Sequence, residues 1–182
     1  MKKALVLFAH PFSKKSRVNR TIMDALQGLD NVHVHDLYEE YPYFHIKVAR
    51  EQELLLEHDI VVWQHPFYWF SMPPLMKLWC DEVLRRDFAY GPDGSRLQGK
   101  DFLLSITTGG LGDPGNSSVD INTYFPPYQQ TAQVCGMNWL PPLVMRATGR
   151  ATQDEVRLHA EKVRQTLMTY CCSLPSEKSE GP

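Results

Sequence analysis

Short apolar runs that suit a strand alternate with longer amphipathic runs that suit a helix along nearly the whole of this chain, and that alternation belongs to a parallel sheet covered by helices on both faces. A first strand is expected over 3–9 and a helix over 16–29, where Val18, Ile22, Ala25, Leu26 and Leu29 fall on one stripe. A short second strand over 32–37 leads through a connection rich in tyrosine (Tyr38, Tyr41, Tyr43) to a helix over 48–57 and a third strand over 60–63. The run Ile60-Val61-Val62-Trp63 is apolar on both faces, as a central strand is. Pro73-Pro74 opens the next helix, because a first turn does not need the N–H that proline lacks, and Leu75, Leu78, Trp79 and Val83 give that helix its buried stripe. A turn-rich stretch over 91–99, a fourth strand over 102–107, an irregular segment over 111–122, a short helix over 127–135 and a fifth strand over 139–145 follow. Thr152-Gln153-Asp154-Glu155 is a capping box for the last helix, with Val156, Ala160, Val163, Leu167 and Tyr170 on its stripe. The most economical arrangement is an α/β three-layer sandwich with five parallel strands in the order 2-1-3-4-5, whose ligand lies beyond the strands' carboxyl ends beside the switch between strands 1 and 3. The loops after strands 1, 3 and 4 then converge on one place.

At 182 residues and 43% hydrophobic content the chain suits one domain, expected over 1–172, with the polar tail over 173–182 disordered. A formal charge of -2, with no basic stripe longer than Lys14-Lys15-Ser16-Arg17, argues against nucleic acid as an obligatory partner. No apolar run approaches the roughly 20 residues that cross a bilayer, and the N-terminus passes straight into a strand, so a cytoplasmic protein is expected. Cys80, Cys135, Cys171 and Cys172 lack the spacing of a zinc or redox motif and read as apolar fillers.

The first loop, Phe12-Ser13-Lys14-Lys15-Ser16-Arg17, opens the first helix through Val18 and Asn19. Unpaired N–H groups and the positive end of the helix dipole make that start an anion site, to which Ser16, Arg17, Asn19 and nearby His10 add side chains. The loop holds neither G-x-G-x-x-G nor a Walker-type glycine pattern, which disfavours dinucleotide-fold and P-loop readings and suits a mononucleotide such as FMN. The second loop carries Phe67, Tyr68, Trp69 and Phe70 in succession; a turn points neighbours in different directions, so some of these rings must meet a ligand or another subunit. A flavin needs flat apolar walls of this kind. In the third loop, Thr107-Thr108-Gly109-Gly110, adjacent glycines let the backbone approach a ring edge, and their N–H groups with threonine hydroxyls face the charge that gathers there on reduction.

These blocks, together with Trp63-Gln64-His65-Pro66 before the aromatic loop, Ser71-Met72-Pro73-Pro74-Leu75-Met76-Lys77-Leu78-Trp79 after it, and Cys135-Gly136-Met137-Asn138-Trp139-Leu140-Pro141-Pro142, resemble the flavodoxin-like NAD(P)H:quinone oxidoreductases, and among them the Kef-type ancillary proteins of glutathione-regulated potassium efflux systems. The resemblance implies a flavodoxin-like fold and a homodimer that binds FMN rather than FAD and passes hydride from NADPH or NADH to a quinone. It places FMN contacts on His10, Ser16, Arg17, Val18, Asn19, Phe67, Tyr68, Trp69, Phe70, Thr107, Thr108, Gly109 and Gly110, with the flavin rather than a protein residue carrying the chemistry. It also implies a partner, the cytoplasmic face of a Kef-type antiporter. The segment over 111–122 departs from the pattern in length and composition, and Tyr124 is a candidate for lining the substrate pocket.

Other readings fail on chemistry. Cys80 and Arg86 have a phosphatase-like Cys-x5-Arg spacing, but Cys80 falls inside a helix rather than in a donor-rich loop after the first strand. His33 and His35 share a strand face without a third metal ligand nearby in sequence, and no G-x-S-x-G elbow supports a serine hydrolase. The rival that survives is a flavin-binding regulatory subunit of a membrane transporter that turns over no substrate.

Overall fold

The computed structural model describes residues 1–110 and 120–172 and is built on a parallel sheet. β1 (Ala4–Phe8) lies between β2 (Val32–Asp36) and β3 (Ile60–Pro66), and β4 (Asp101–Thr107) follows β3, so the expected switch between the first and third strands is present. Two short strands, β5 (Asn138–Trp139) and β6 (Leu143–Met145), both pair parallel with β4 where the sequence suggests one strand over 139–145. Prolines cause the split. Leu140 N–H still donates to the Phe102 carbonyl at 2.9 Å, but Pro141 and Pro142 have no N–H, and pairing resumes only at Leu143 opposite Ser105. β3 also runs further than expected: Gln64, His65 and Pro66 belong to the sheet, with proline tolerated as the strand's last residue.

Helices α1 (Arg17–Leu26), α2 (Leu37–Glu40), α3 (Val48–Glu57), α4 (Pro74–Val83), α5 (Pro126–Val134) and α6 (Gln153–Cys172) connect and cover the strands. α1 stops short of residue 29 because the chain turns left-handed at Gly28, φ 73°. The four-residue α2 escaped the sequence reading; Asp36 caps it by accepting from the N–H groups of Tyr38 and Glu39. The α6 capping box forms as expected, with Glu155 N–H donating to Thr152 Oγ1 at 3.2 Å and Thr152 N–H to Glu155 Oε2 at 2.7 Å. Its stripe closes on buried Cys171, one turn after Leu167, while Tyr170 is only half-buried. Cys172 is exposed and therefore not the filler that Cys135 and Cys171 are.

Successive strand residues face opposite sides, which divides the core in two. Ala4, Val6, Ile60, Val62 and Leu103 meet Val18, Ile22 and Leu26 of α1 and Val156, Ala160 and Val163 of α6. On the other face Leu5, Leu7, Val61, Trp63 and Leu104 meet Leu55, Leu75, Trp79 and Tyr128. Trp63 packs edge-on against Phe102 at 4.8 Å and Trp79 at 6.3 Å between ring centres. Each fully buried large side chain contributes about 1.5–3 kcal/mol, enough for two such layers to hold the strand ends in fixed register. Among the described residues no helix is long and apolar enough to cross a membrane. The expectations for the 111–122 segment fall largely on residues 111–119, and that for the tail on 173–182, all outside the described residues.

At their carboxyl ends the strands are tied to one another. Ala9 N–H donates to the Gln64 carbonyl at 3.0 Å, Phe67 N–H to Thr107 at 2.8 Å and Thr108 N–H to Met145 at 2.8 Å. The loops therefore leave the sheet from neighbouring points.

Candidate cofactor cleft

A cleft of about 690 Å³ opens at those carboxyl ends. A larger hollow of about 820 Å³ beside β2 is lined by mixed charges, among them Lys14, Arg20, Asp36, Glu39 and Arg50, and lacks the aromatic walls of the first.

One wall of the cleft is the start of α1. Ser16 is the N-cap, its Oγ accepting from Asn19 N–H at 3.4 Å and from Asn19 Nδ2 at 3.0 Å. Asn19 is buried; its Nδ2 also donates to Thr107 Oγ1 at 3.0 Å, and its Oδ1 accepts from Gln64 Nε2 at 3.0 Å. That amide, expected to meet a ligand, is thus committed to fixing α1 against β3 and β4. The helix start itself offers the N–H groups of Arg17 and Val18, which have no partner within a helix, and the Ser16 hydroxyl. The Arg17 guanidinium turns to the loop after β6, donating to the Ala151 carbonyl at 2.6 Å and more loosely to the Thr148 carbonyl and Gln153 Oε1, both at 3.4 Å.

His10 stands at the end of β1. Its Nδ1 accepts from Phe12 N–H at 3.0 Å, and burial lowers its pKa, so the ring is neutral with its proton on Nε2. It meets Tyr68 edge-on at 6.0 Å. Tyr68 and Ser71 exchange both backbone hydrogen bonds at 3.0 Å, closing a two-residue turn whose central residues, Trp69 and Phe70, have φ of 47° and 64°. Bulky residues in that region cost about 1–2 kcal/mol each, so the turn is held against its own preference. The four aromatics do diverge: Phe67 is buried, Tyr68 and Phe70 are 38% and 52% exposed, and Trp69 is 93% exposed. Tyr68 and Trp69 border the cleft, whereas Phe70 turns away and stacks on Tyr124 at 5.2 Å.

The remaining edge comes from β4. Thr107 borders the cleft, but Thr108 does not: it is 1% exposed, its N–H goes to Met145, and its carbonyl accepts from Thr148 N–H at 2.9 Å. A Cβ placed on Gly109 would meet no atom of the described residues within 4 Å, so none of those neighbours requires glycine there. Beneath this edge lies Gln64, 1% exposed, with its Oε1 unpartnered among the described residues. The orientation of the amide follows from its bond to Asn19. Next to it on β3, His65 is fully buried, stacks on Tyr128 at 5.8 Å, and is held neutral by burial with a pKa of about 4.

Of the residues singled out in the sequence, His10, Ser16, Arg17, Val18, Asn19, Phe67, Tyr68, Trp69, Thr107, Gly109 and Gly110 line this cleft, while Phe70, Thr108 and Tyr124 do not. Pro66, of the block just before the aromatic loop, lines it too, and so do two residues that were not singled out, Thr148 and Gly149. The last two follow the final strand, and in a parallel sheet every carboxyl-end loop faces the same side, so the signal was in the topology. The combination suits a flat conjugated ligand with an anionic tail: backbone donors for the tail, rings for the flat face, and an edge without side chains at Gly109.

A family description of the flavodoxin-like fold matches residues 2–167. The chain is 41% identical over 172 residues to the glutathione-regulated potassium-efflux system ancillary protein KefF of Klebsiella aerogenes, an alignment that covers 91% of this chain and 95% of that protein. Among solved structures it is similar to general stress protein 14 from Treponema denticola, solved in complex with FMN, with a TM-score of 0.85 and 35% identity over 92% of this chain and 98% of that one. It is similar also to an NADPH-quinone reductase from P. pentosaceus, with a TM-score of 0.81 and 26% identity over 94% of this chain and 99% of that one.

Proposed function

The chain belongs to the flavodoxin-like fold family, and on that premise we propose that it is an FMN-dependent oxidoreductase passing hydride from NADPH or NADH to a quinone. The observation that carries the proposal is the cleft itself, which joins a helix N-terminus to an aromatic wall across an edge that Gly109 leaves open. The FMN bound to the Treponema denticola relative and the activity named for the P. pentosaceus one support it. FMN fits better than FAD, because the cleft offers one anion-binding helix start.

The N–H groups of Arg17 and Val18 and the Ser16 hydroxyl would hold the phosphate. Tyr68 and Trp69 would wall the ring, with the backbone of Thr107, Gly109 and Gly110 available to its edge. When bound, the flavin supplies two-electron hydride chemistry. The chain's part is to bind, orient and stabilise charge: preorganised N–H donors at the β4 edge favour the charge-bearing form of a ligand without moving during reaction. His10, neutral and with its proton on Nε2, presents one more donor, and no acid or base from the protein is needed for the first step. A homodimer is part of the same proposal. Trp69 projects into solvent from a turn that costs energy to hold, and a second copy would cover it.

The likeness to KefF favours a second role, as an ancillary protein at the cytoplasmic face of a Kef-type potassium antiporter. An anaerobic visible spectrum of the protein reconstituted with FMN separates the readings. Bleaching by NADPH and recovery on adding a short-chain quinone is the expected result. Bound flavin without turnover would leave the regulatory role alone, and no bound flavin would end the cofactor proposal.

A further inference from the structure

We propose that Arg17 is a positioning residue whose guanidinium straps the loop over 146–151 to the start of α1, setting the wall of the cleft, rather than a ligand for phosphate. The inference deepens the flavin reading and rests on it for its affinity measurements only. Three acceptors engage the guanidinium, and all belong to the loop and the first turn of α6: the Ala151 carbonyl at 2.6 Å, the Thr148 carbonyl at 3.4 Å and Gln153 Oε1 at 3.4 Å. The two carbonyls flank Gly149, which lines the cleft and at which an added Cβ would meet no atom of the described residues within 4 Å.

The loop needs an outside tether. Ala147 is left-handed with φ 52°, a conformation that disfavours a residue with a Cβ. The N–H groups of Arg150 and Ala151 both converge on the Ala147 carbonyl, at 2.9 and 3.1 Å, which curls the loop on itself. β4 holds the near end through Thr148 N–H to the Thr108 carbonyl at 2.9 Å. Arg17 ties the loop across to α1. A planar guanidinium with five donors can bridge two carbonyls and an amide at once, which a lysine ammonium on its flexible stem does less well. The phosphate is then left to backbone N–H groups and Ser16, whose placement depends on Asn19 rather than on Arg17.

The test compares wild type, R17M and R17K by amide hydrogen exchange of residues 147–151 in the flavin-free protein, and by fluorescence titration with FMN and with riboflavin, which lacks the phosphate. For R17M the strap expects loop exchange roughly tenfold faster, and affinity for both flavins lowered by a common factor of about five, the scale of one ordinary hydrogen bond. R17K should fall between R17M and wild type, and it carries the test should R17M fail to fold. Loss of FMN affinity with riboflavin affinity and loop exchange unchanged would make Arg17 a phosphate ligand and overturn the proposal, as would no change in any of the three. If wild type takes up neither flavin, the functional reading fails, and loop exchange alone decides whether Arg17 is a strap.

Discussion

Glu51 and Gln64 are both buried polar side chains where several elements meet, yet their hydrogen bonding differs. Glu51, on α3, is 0% exposed and fully engaged: His35 of β2 donates to its Oε1 at 2.9 Å, Tyr41 O–H donates to the same oxygen, and Trp79 of α4 donates to Oε2 at 2.7 Å. Burial by itself would raise the Glu51 pKa, but these donors outweigh it and hold the carboxyl below its ordinary value; burial and the carboxylate together push the Tyr41 hydroxyl up. Gln64, 1% exposed, gives one bond to Asn19, and its Oε1 has no partner among the described residues. A saturated network locks elements together, whereas one with an unused acceptor beside a cleft has kept something for a ligand or for the placement of groups that hold one. The two histidines repeat the contrast: His35 is bonded to Glu51, while His65, beside Gln64, has an Nε2 without a partner among the described residues.

The largest effect should come from emptying the saturated network. Glu51→Ala leaves three buried donors without an acceptor and is expected to lower unfolding free energy by about 3–5 kcal/mol in urea, a large share of a typical domain's stability. A loss under about 1 kcal/mol would show that the network does not hold the fold and that the contrast with Gln64 is empty. The opposite pattern is expected at the cleft. Gly109→Val adds a side chain where no atom of the described residues is in the way, so melting should stay within a few degrees of wild type. FMN affinity should fall by roughly a hundredfold as the ring edge is displaced, about 2.7 kcal/mol. Unaltered FMN binding by this variant would move the proposed site elsewhere.

Those two networks also mark how far the sequence could be read. Strand order and the convergence of three loops followed from local information: apolar runs, the prolines before α4 and the capping box at Thr152 each act within a few residues. What escaped depends on residues far apart in the chain. Asn19 reads as a ligand in isolation because asparagine at a helix start offers donors; its commitment to Gln64 and Thr107 spans 45 and 88 positions. Arg17 reads as a phosphate ligand for the same reason, and its acceptors lie more than 130 positions away. Phe70 and Thr108 fall outside the cleft lining for a different reason. Each stands one residue from the cleft lining, and whether a side chain faces in or out is set by the tight turn at 68–71 and by the tie from Thr108 to Met145.

His65, bonded through Nδ1 to the Pro66 carbonyl at 2.9 Å, gives an effect of intermediate size that depends on pH. Burial holds the folded His65 pKa at about 4 against an ordinary 6.5. Between those values the unfolded chain binds the proton and the folded one does not, so stability is lost as pH falls from neutral toward 4. From pH 7 to 5 this group should contribute a loss on the order of 2 kcal/mol. His65→Gln removes a titrating group and should flatten the stability profile relative to wild type by about that amount in urea unfolding at the two pH values. Parallel profiles for variant and wild type would mean that His65 is protonated in the fold, and so not the buried neutral counterpart of His35.

A smaller loss of fold stability than at Glu51 or His65 should fall on Gln64, and there the comparison is sharpest. Gln64→Met keeps the bulk of the side chain and removes one hydrogen bond, leaving Asn19 Oδ1 short of a donor. The flavin-free protein should lose about 1 kcal/mol, far less than Glu51→Ala, because Gln64 had little bonding to give up. FMN affinity should fall roughly tenfold, because the tie that sets the first turn of α1 against β3 is gone and the phosphate donors move with that turn. Urea unfolding of the flavin-free variant and FMN titration of the same preparation read the two quantities separately. A stability loss matching that of Glu51→Ala with FMN affinity unchanged would make Gln64 one more structural anchor, and the unpartnered oxygen would then say nothing about the cleft. A small stability loss with a large affinity loss would assign the chain of bonds from Gln64 through Asn19 to Thr107 to the work of holding the ligand.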